Sequence, residues 1–362
     1  VFCILLLREM RGQMNTYSDT DIGPTTGALK RVFSGIQPSG AVHLGNYLGA
    51  IKGWIDRQEQ KENFFCIVDL HAITVMQDPK TLLDQTRSLS ALLLAAGLDP
   101  SKSTLFIQSH VSTHAEACWI LNCMTPLGWL ERMTQYKDKS SKQESVMAGL
   151  IDYPVLMAGD ILLYSANEVP VGDDQRQHVE LARDIAQRFN HHFGEIFVVP
   201  EAVIPETGAR IMGLDDPTMK MSKSESTNQG HSIRLLDSAS DIERNIKRSV
   251  TDSGNEIRFS ADPSKAGVNN LLEIYKGISG KSEPEVESDF SDARGYGDLK
   301  SRVAETVISA VEPIQHRYHQ LIKDIEELDR LMSIGAERAN DVSRPKLDEM
   351  KQRVGLTLPN SL

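Results

Sequence analysis

Three short apolar runs limit the folds open to this chain: RVFSGI (31–36), FFCIVDL (64–70) and STLFIQS (103–109). Each is too short for a buried helix, and none alternates apolar with polar residues as a strand with one wet face does. They read as strands buried on both faces. Between the last two runs lies DPKTLLDQTRSLSALLLAAGLDP. Its Asp78 cap, Pro79 at the first helical position and Gly97 near the end mark a helix. Strand, helix and strand in alternation predict an α/β fold built on a Rossmann-like, doubly wound parallel sheet. Ligands of such sheets bind beyond the carboxyl ends of the strands.

The pattern continues with YPVLMAGDILLYSA, a buried helix carrying one carboxylate, Asp160. EVPVG follows as a brief strand, and DDQRQHVELARDIAQRFNHHFG as an amphipathic helix. After Ser232 the strand signal fades and helical spacing dominates. The expected organisation is a flexible leader over 1–30 with no assigned function, a catalytic α/β domain over 31–232, and a helical domain with a tail over 233–362.

The chain has 362 residues, enough for a large core, and its 40% hydrophobic and 25% charged content excludes disordered and collagen-like classes. A net charge of −11 argues against an overall basic coat but leaves room for a local cationic face on nucleic acid. Four cysteines are too few for a disulfide framework, so reduced thiols and a reducing compartment are expected. The leader lacks the layout of a secretion signal, and no stretch is long and apolar enough to span a bilayer.

The turn SGIQPSGAVHLGN (34–46) leaves a strand and enters a helix at the sheet's carboxyl edge. Backbone N–H groups and a helix N-terminus there suit phosphate, and Gly45 would let a nucleotide approach closely. His43 and Asn46 offer side-chain donors. Neither a dinucleotide fingerprint nor a P-loop is present. Far downstream stands KMSKS, with Lys220, Ser222, Lys223 and Ser224. Alone, its lysines read either as solvated surface charges or as a cationic loop. Asp160 reads either as a ligand-reading acceptor or as a salt-bridged structural carboxylate, and His71 as a pocket or a core histidine. His110 and His114 share helical spacing, but without H-E-x-x-H they read as surface residues rather than metal ligands. His191 and His192 read as solvated. KDKSSK (137–142) reads as an exposed basic loop or an acceptor-stem contact, and RNIKR (244–248) as a solvated face.

RVFSGIQPSG, HLGNYLGA, CIVDLHAIT, PVLMAGDILLY, VPVGDDQRQH, GARIM and KMSKS occur in this order from about Arg31. With the spacing between them, they resemble the tryptophanyl-tRNA synthetase family, class I, bacterial and organellar type. The resemblance runs to about Gly355. It implies a tryptophan–tRNA ligase that makes Trp-AMP and pyrophosphate from L-tryptophan and ATP, then charges tRNA(Trp), with first attack by the 2′-OH. Gln37, Pro38, Ser39, Gly45 and Asn46 would line the ATP site, with Gly172, Asp173 and Asp174 at the nucleotide or its ribose. Ile211 and Met221 would set backbone groups against adenine. His43, Asn46 and the KMSKS residues would act in catalysis.

Activation is an in-line attack of a carboxylate on the α-phosphate, so it needs positioning and charge stabilisation, not a protein nucleophile. Lys220 and Lys223 suit the leaving pyrophosphate. Mg²⁺ would arrive with ATP, and no protein-bound metal is expected. The indole N–H can only donate and a carboxylate can only accept, which suits Asp160 to reading it. Phe33, Met157, Val169 and Val171 would form the apolar slot. The family places Tyr153 and Gln175 at the amino group and His71 nearby. It also implies a homodimer and makes the helical domain the anticodon reader. The expected compartment is the cytoplasm, with the mitochondrial matrix second.

Two alternatives stay open on sequence: the sister tyrosyl-tRNA synthetase, and a catalytically silent relative that binds RNA. One departure from the family is visible. After KMSKS many relatives carry Asp-Pro, whereas Glu225 and Ser226 stand here, which should loosen the loop's exit.

Overall fold

The computed structural model describes residues 29–140, 146–204, 210–221 and 230–359. The leader's first 28 residues, Ser222, Lys223, Ser224, Glu225, Ser226 and part of KDKSSK therefore lie outside the described residues.

Five strands make one sheet: β1 Arg31–Ile36, β2 Glu62–Ile67, β3 Thr104–Ile107, β4 Glu168–Pro170 and β5 Glu201–Val203. Their order is β3-β2-β1-β4-β5 and all neighbours are parallel. Phe33 pairs with Phe64, and Ile36 with Ile67. The order reverses at β1, which has β2 on one side and β4 on the other. The carboxyl ends of β1 and β4 therefore flank the crevice where a doubly wound sheet takes its ligand. The first strand falls on the residues expected for it. The last was not expected: it has three residues, too few for any periodic signal, and one is exposed.

The first connection holds α1 (Leu44–Asn46), which runs without a break through a π-helical turn, Tyr47–Ile51, into α2 (Lys52–Asp56). After β2 come α3 (Asp69–Ala72) and α4 (Pro79–Ala96). The α4 ends are as the sequence dictates: Asp78 Oδ1 accepts the Thr81 N–H at 2.8 Å, and Gly97 closes the helix at φ 121°. Next are α5 (Thr113–Asn122), α6 (Leu127–Leu130), α7 (Thr134–Ser140), α8 (Ala148–Leu162) and α9 (Arg176–Phe193). Beyond residue 232 the regular elements described are all helical: α10 (Ala239–Arg248), α11 (Ala266–Ser279), α12 (Glu283–Asp289), α13 (Tyr296–Leu321) and α14 (Ile325–Arg353), apart from a short 3₁₀ turn.

Side chains alternate across the sheet and build two cores. Phe65, Ile67, Leu105 and Ile107 face α4 and share a cluster with Val303, Val307 and Val311 of α13. Phe33, Phe64, Cys66 and Phe106 face the other way, toward α5, α8 and α9, together with Ala339, Leu347 and Met350 of α14. The helical part thus continues both cores of the sheet. Its last helix also covers the edge strand β3, which would otherwise offer open backbone groups to other chains. Among the described residues no helix is long and apolar enough to cross a membrane, and Cys66, Cys118 and Cys123 are free thiols.

Candidate active site

The nucleotide side of the crevice begins where β1 stops. Gln37 is exposed, Pro38 buried and Ser39 half-buried. His43 then caps α1 in an unusual way. Its Nδ1 accepts the Asn46 N–H at 3.2 Å, while the Asn46 side-chain oxygen accepts the His43 N–H at 3.3 Å. This is a capping box with histidine at the cap and asparagine at the third helical position. A neutral imidazole that accepts at Nδ1 carries its hydrogen on Nε2, so the cap also fixes His43 as a donor at Nε2.

HLGN and KMSKS meet at Gly45. A Cβ built there would lie 3.1 Å from the His43 ring and 3.5 Å from Met221 Cβ. The chain on either side of the KMSKS loop is stitched in place. Met221 N–H donates to the Ile211 carbonyl at 3.1 Å, and Gly213 N–H to Met219 at 2.8 Å. Beyond the loop, Leu44 N–H donates to Ile233 at 2.8 Å and Leu235 N–H to Val42 at 3.0 Å. Lys220 stands exposed beside this seam. The Met221 N–H and the Ile211 carbonyl are paired with each other here, so they would have to part before that amide could meet a base. Gly45→Ala presses a methyl on the His43 cap. It is expected to raise KM for ATP by about tenfold while lowering stability by no more than about 1 kcal/mol, as read by exchange kinetics and urea unfolding.

The opposite wall starts at the carboxyl end of β4. Val169 is buried and Val171 half-buried, and Gly172, Asp173 and Asp174 are exposed. A Cβ on Gly172 would sit 2.8 Å from the Asp174 carboxylate, and Gln175 Nε2 donates to that carboxylate at 2.8 Å. The residues expected around the ribose and the amino group thus form one small cluster across the switch point from Gln37 and Ser39.

Below them lies the pocket expected for the amino acid. Asp160, 1% exposed, sits on the inner face of α8. His71 Nε2 lies 2.8 Å from its Oδ2; Gln108 Nε2 and His114 Nδ1 each lie 2.7 Å from its Oδ1. Burial alone would push this carboxyl's pKa up. The hydrogen bonds and positive character of His114 and His71 outweigh that and hold it well below the usual carboxylate range. Asp160 is therefore a charged acceptor at neutral pH. The Tyr153 and His71 rings meet edge to face with centroids 6.3 Å apart, and the Tyr153 hydroxyl is 2.8 Å from His178 Nε2. Burial pushes the Tyr153 phenol up to about 12, so it stays protonated. Phe33 stacks on Tyr164 at 5.4 Å, and Met157 is half-buried.

The structure corrects one expectation. His114 is not a surface residue: it is fully buried, between Asp160 and the Tyr164 hydroxyl, which is 2.8 Å from its Nε2. The signal was present in the sequence, because His114 shares the apolar face of α5 with Ala117 and Leu121 at spacings of three and seven. Gln108 was also missed. It lies just past β3, where a single polar residue after a strand carries no pattern. His110 is exposed, and no cluster of three metal-ligating side chains occurs among the described residues. The Cys66 and half-buried Cys118 thiols are not poised as nucleophiles: desolvation pushes Cys66 well up and Cys118 up to about 12.

A family model matches residues 27–312, the stretch that carries the parallel sheet, the HLGN–KMSKS seam and the buried carboxylate. The chain belongs to the class I tRNA synthetases for tryptophan and tyrosine (W and Y). Within that family the relatives it matches at about 50% identity are named tryptophan–tRNA ligase. It is 52% identical over 328 residues to the tryptophan–tRNA ligase of Wolinella succinogenes, covering 90% of this chain and 99% of that one. It superposes on the crystal structure of tryptophanyl-tRNA synthetase from Mycoplasma pneumoniae with a TM-score of 0.82 and 38% identity, over 91% and 99% of the two chains. The enzyme from Campylobacter jejuni, solved with ADP and tryptophan, gives 0.78 and 38%, over 90% and 100%.

Proposed function

We propose that this chain is a tryptophan–tRNA ligase, activating L-tryptophan with ATP and passing it to tRNA(Trp). The observation that carries the substrate choice is Asp160, a buried, ionised carboxylate that can only accept; Phe33, Met157, Val169 and Val171 are the proposed walls of its pocket. Indole N–H is the complementary donor. The named relatives, and the tryptophan and ADP held by the Campylobacter jejuni enzyme, support the same reading.

In this reading the tryptophan carboxylate attacks the α-phosphate of ATP as pyrophosphate leaves. Gly45 and the backbone of the HLGN turn let the triphosphate lie close to α1, and His43 donates from Nε2. The Asn46 side-chain oxygen holds the His43 cap, and the Asn46 NH₂ group is the donor for phosphate. Lys220 and Lys223, with Ser222 and Ser224, take the charge growing on pyrophosphate, and Mg²⁺ enters as part of the ATP substrate. Gly172, Asp173 and Asp174 serve the ribose, and Tyr153, Gln175 and His71 the tryptophan amino end. Residues 31–232 form the catalytic part and 233–362 the anticodon-reading part, sharing cores so that the two are held as one framework. RNIKR is a weak candidate for RNA contact, because Arg244 is paired with Asp241 and Lys247 with Glu243. A homodimer fits the exposed apolar residues Trp119 on α5 and Leu127 on α6, which are 70% and 59% accessible. The cytoplasm is the proposed compartment.

ATP–pyrophosphate exchange tests the reading. Exchange is expected with L-tryptophan and to be at least about a thousandfold weaker with L-tyrosine, whose O–H donor projects from a smaller ring at a different point than the indole N–H. Exchange with tyrosine alone, or with neither amino acid, overturns it.

A further inference from the structure

Asp160 has more partners than a reader of one N–H group needs, and their arrangement is directional. Each carboxylate oxygen offers two lone pairs. Oδ1 has both engaged, by Gln108 Nε2 at 2.7 Å and His114 Nδ1 at 2.7 Å. Oδ2 has one engaged, by His71 Nε2 at 2.8 Å. Among the described residues one lone pair remains without a partner, and it belongs to Oδ2. Among these partners His71 is the least buried, and it contacts Tyr153 on the pocket wall. The open acceptor is thus on the pocket side.

What fixes this arrangement lies behind the carboxylate. Gln108 cannot turn its amide over, because its Oε1 accepts the Leu70 N–H at 3.1 Å, which leaves the NH₂ group for Asp160. His114 donates from Nδ1 to a carboxylate that cannot donate back, and its Nε2 lies 2.8 Å from the Tyr164 hydroxyl, which holds the ring from behind. Tyr164 is itself clamped between Phe33, Phe64 and Phe106, with ring centroids at 5.4, 4.7 and 5.7 Å. Both His114 and Tyr164 are fully buried, so neither touches a substrate in the pocket.

We propose that His114 is a positioning residue for indole recognition: backed by Tyr164, it holds Asp160 Oδ1 so that Oδ2 alone is turned to the substrate N–H. The proposal rests on Asp160 reading indole, and the test separates the two. The probe pair is L-tryptophan and 3-(3-benzothienyl)-L-alanine, which has sulfur in place of N–H at nearly the same shape. The readout is the ratio of their kcat/KM values in ATP–pyrophosphate exchange. A residue with a merely structural role would weaken both substrates alike and leave the ratio unchanged.

His114→Leu is expected to cut the preference for tryptophan by about tenfold, the size of one misplaced charge-assisted hydrogen bond. Tyr164→Phe removes one oxygen and keeps the ring packing, so it reports even where the leucine variant fails to fold; it is expected to cut the preference about threefold. His114→Asn is expected to restore most of the preference, because its amide nitrogen replaces Nδ1 as donor. An unchanged ratio in Tyr164→Phe and His114→Leu, with the preference lost in Asp160→Asn, overturns the role of His114. An unchanged ratio in Asp160→Asn overturns the indole reading itself, and the His114 proposal with it.

Discussion

Asp160→Asn is expected to lower unfolding free energy by about 3 kcal/mol at neutral pH and kcat/KM for tryptophan by about a hundredfold. Three donors converge on this carboxylate, from His71, His114 and Gln108. An asparagine offers one acceptor oxygen and an NH₂ group, so at least one buried N–H would face another. The loss exceeds that of one hydrogen bond because the pocket admits little water: Asp160 is 1% exposed and Gln108 and His114 are fully buried. The pH dependence separates this cause from a loss of packing. The Asp160 carboxyl titrates lower in the folded chain than in the unfolded one. Its contribution is therefore complete above the unfolded value of about 3.9 and fades as acid protonates the folded group. In urea unfolding, the gap between native and variant should hold steady down to about pH 5 and narrow below about pH 4. A gap that persists unchanged into acid would mean that Asp160 stabilises by shape, not charge.

The parts of the molecule that were legible in the sequence are those set by neighbours along the chain. β1 is a short apolar run closed by a turn, and α4 carries its cap, its proline and its terminal glycine in a single stretch. Asp160 stood out as the one charge in the apolar run YPVLMAGDILLYSA. The parallel sheet followed from alternation, whereas the strand order, and with it the crevice between β1 and β4, is set by how the strands pair. What was not legible depends on contacts between distant segments. Gln108 and His114 become meaningful only when β3 and α5 are laid against α8. The His43 cap on Asn46 is local in sequence, but histidine is an uncommon cap, so the pair read as two separate donors rather than as one device. The helical domain expected over 233–362 also drew on local composition, which carries no signal that both cores of the sheet run on into α13 and α14.

The covering of β3 by α14 supplies the second large effect. Gly335→Ala is expected to destabilise the chain by about 3 kcal/mol or more. In an exposed helix the same change would stabilise by up to about 1 kcal/mol, since alanine is the better helix former. Here the added Cβ would lie 1.8 Å from the Leu105 carbonyl oxygen and 2.8 Å from its carbon. Neither atom can yield, because both belong to the middle of β3, whose Leu105 is paired with Phe65 of β2. The helix would have to lift instead. Lifting it would open Ala339, Leu347 and Met350 to water and pull Ser343 from Thr113, whose hydroxyl donates to it at 2.8 Å. Gly297, near the start of α13, meets nothing within 4 Å of a built Cβ, so Gly297→Ala should be neutral or slightly stabilising in the same assay. β3 leads directly into Gln108, so a shifted strand end should also loosen Asp160 and raise KM for tryptophan more than KM for ATP. A Gly335→Ala chain as stable as the native one would show that α14 does not seat on the strand. Lost stability with equal rises in both KM values would show that the seat matters for folding but is not felt in the tryptophan pocket.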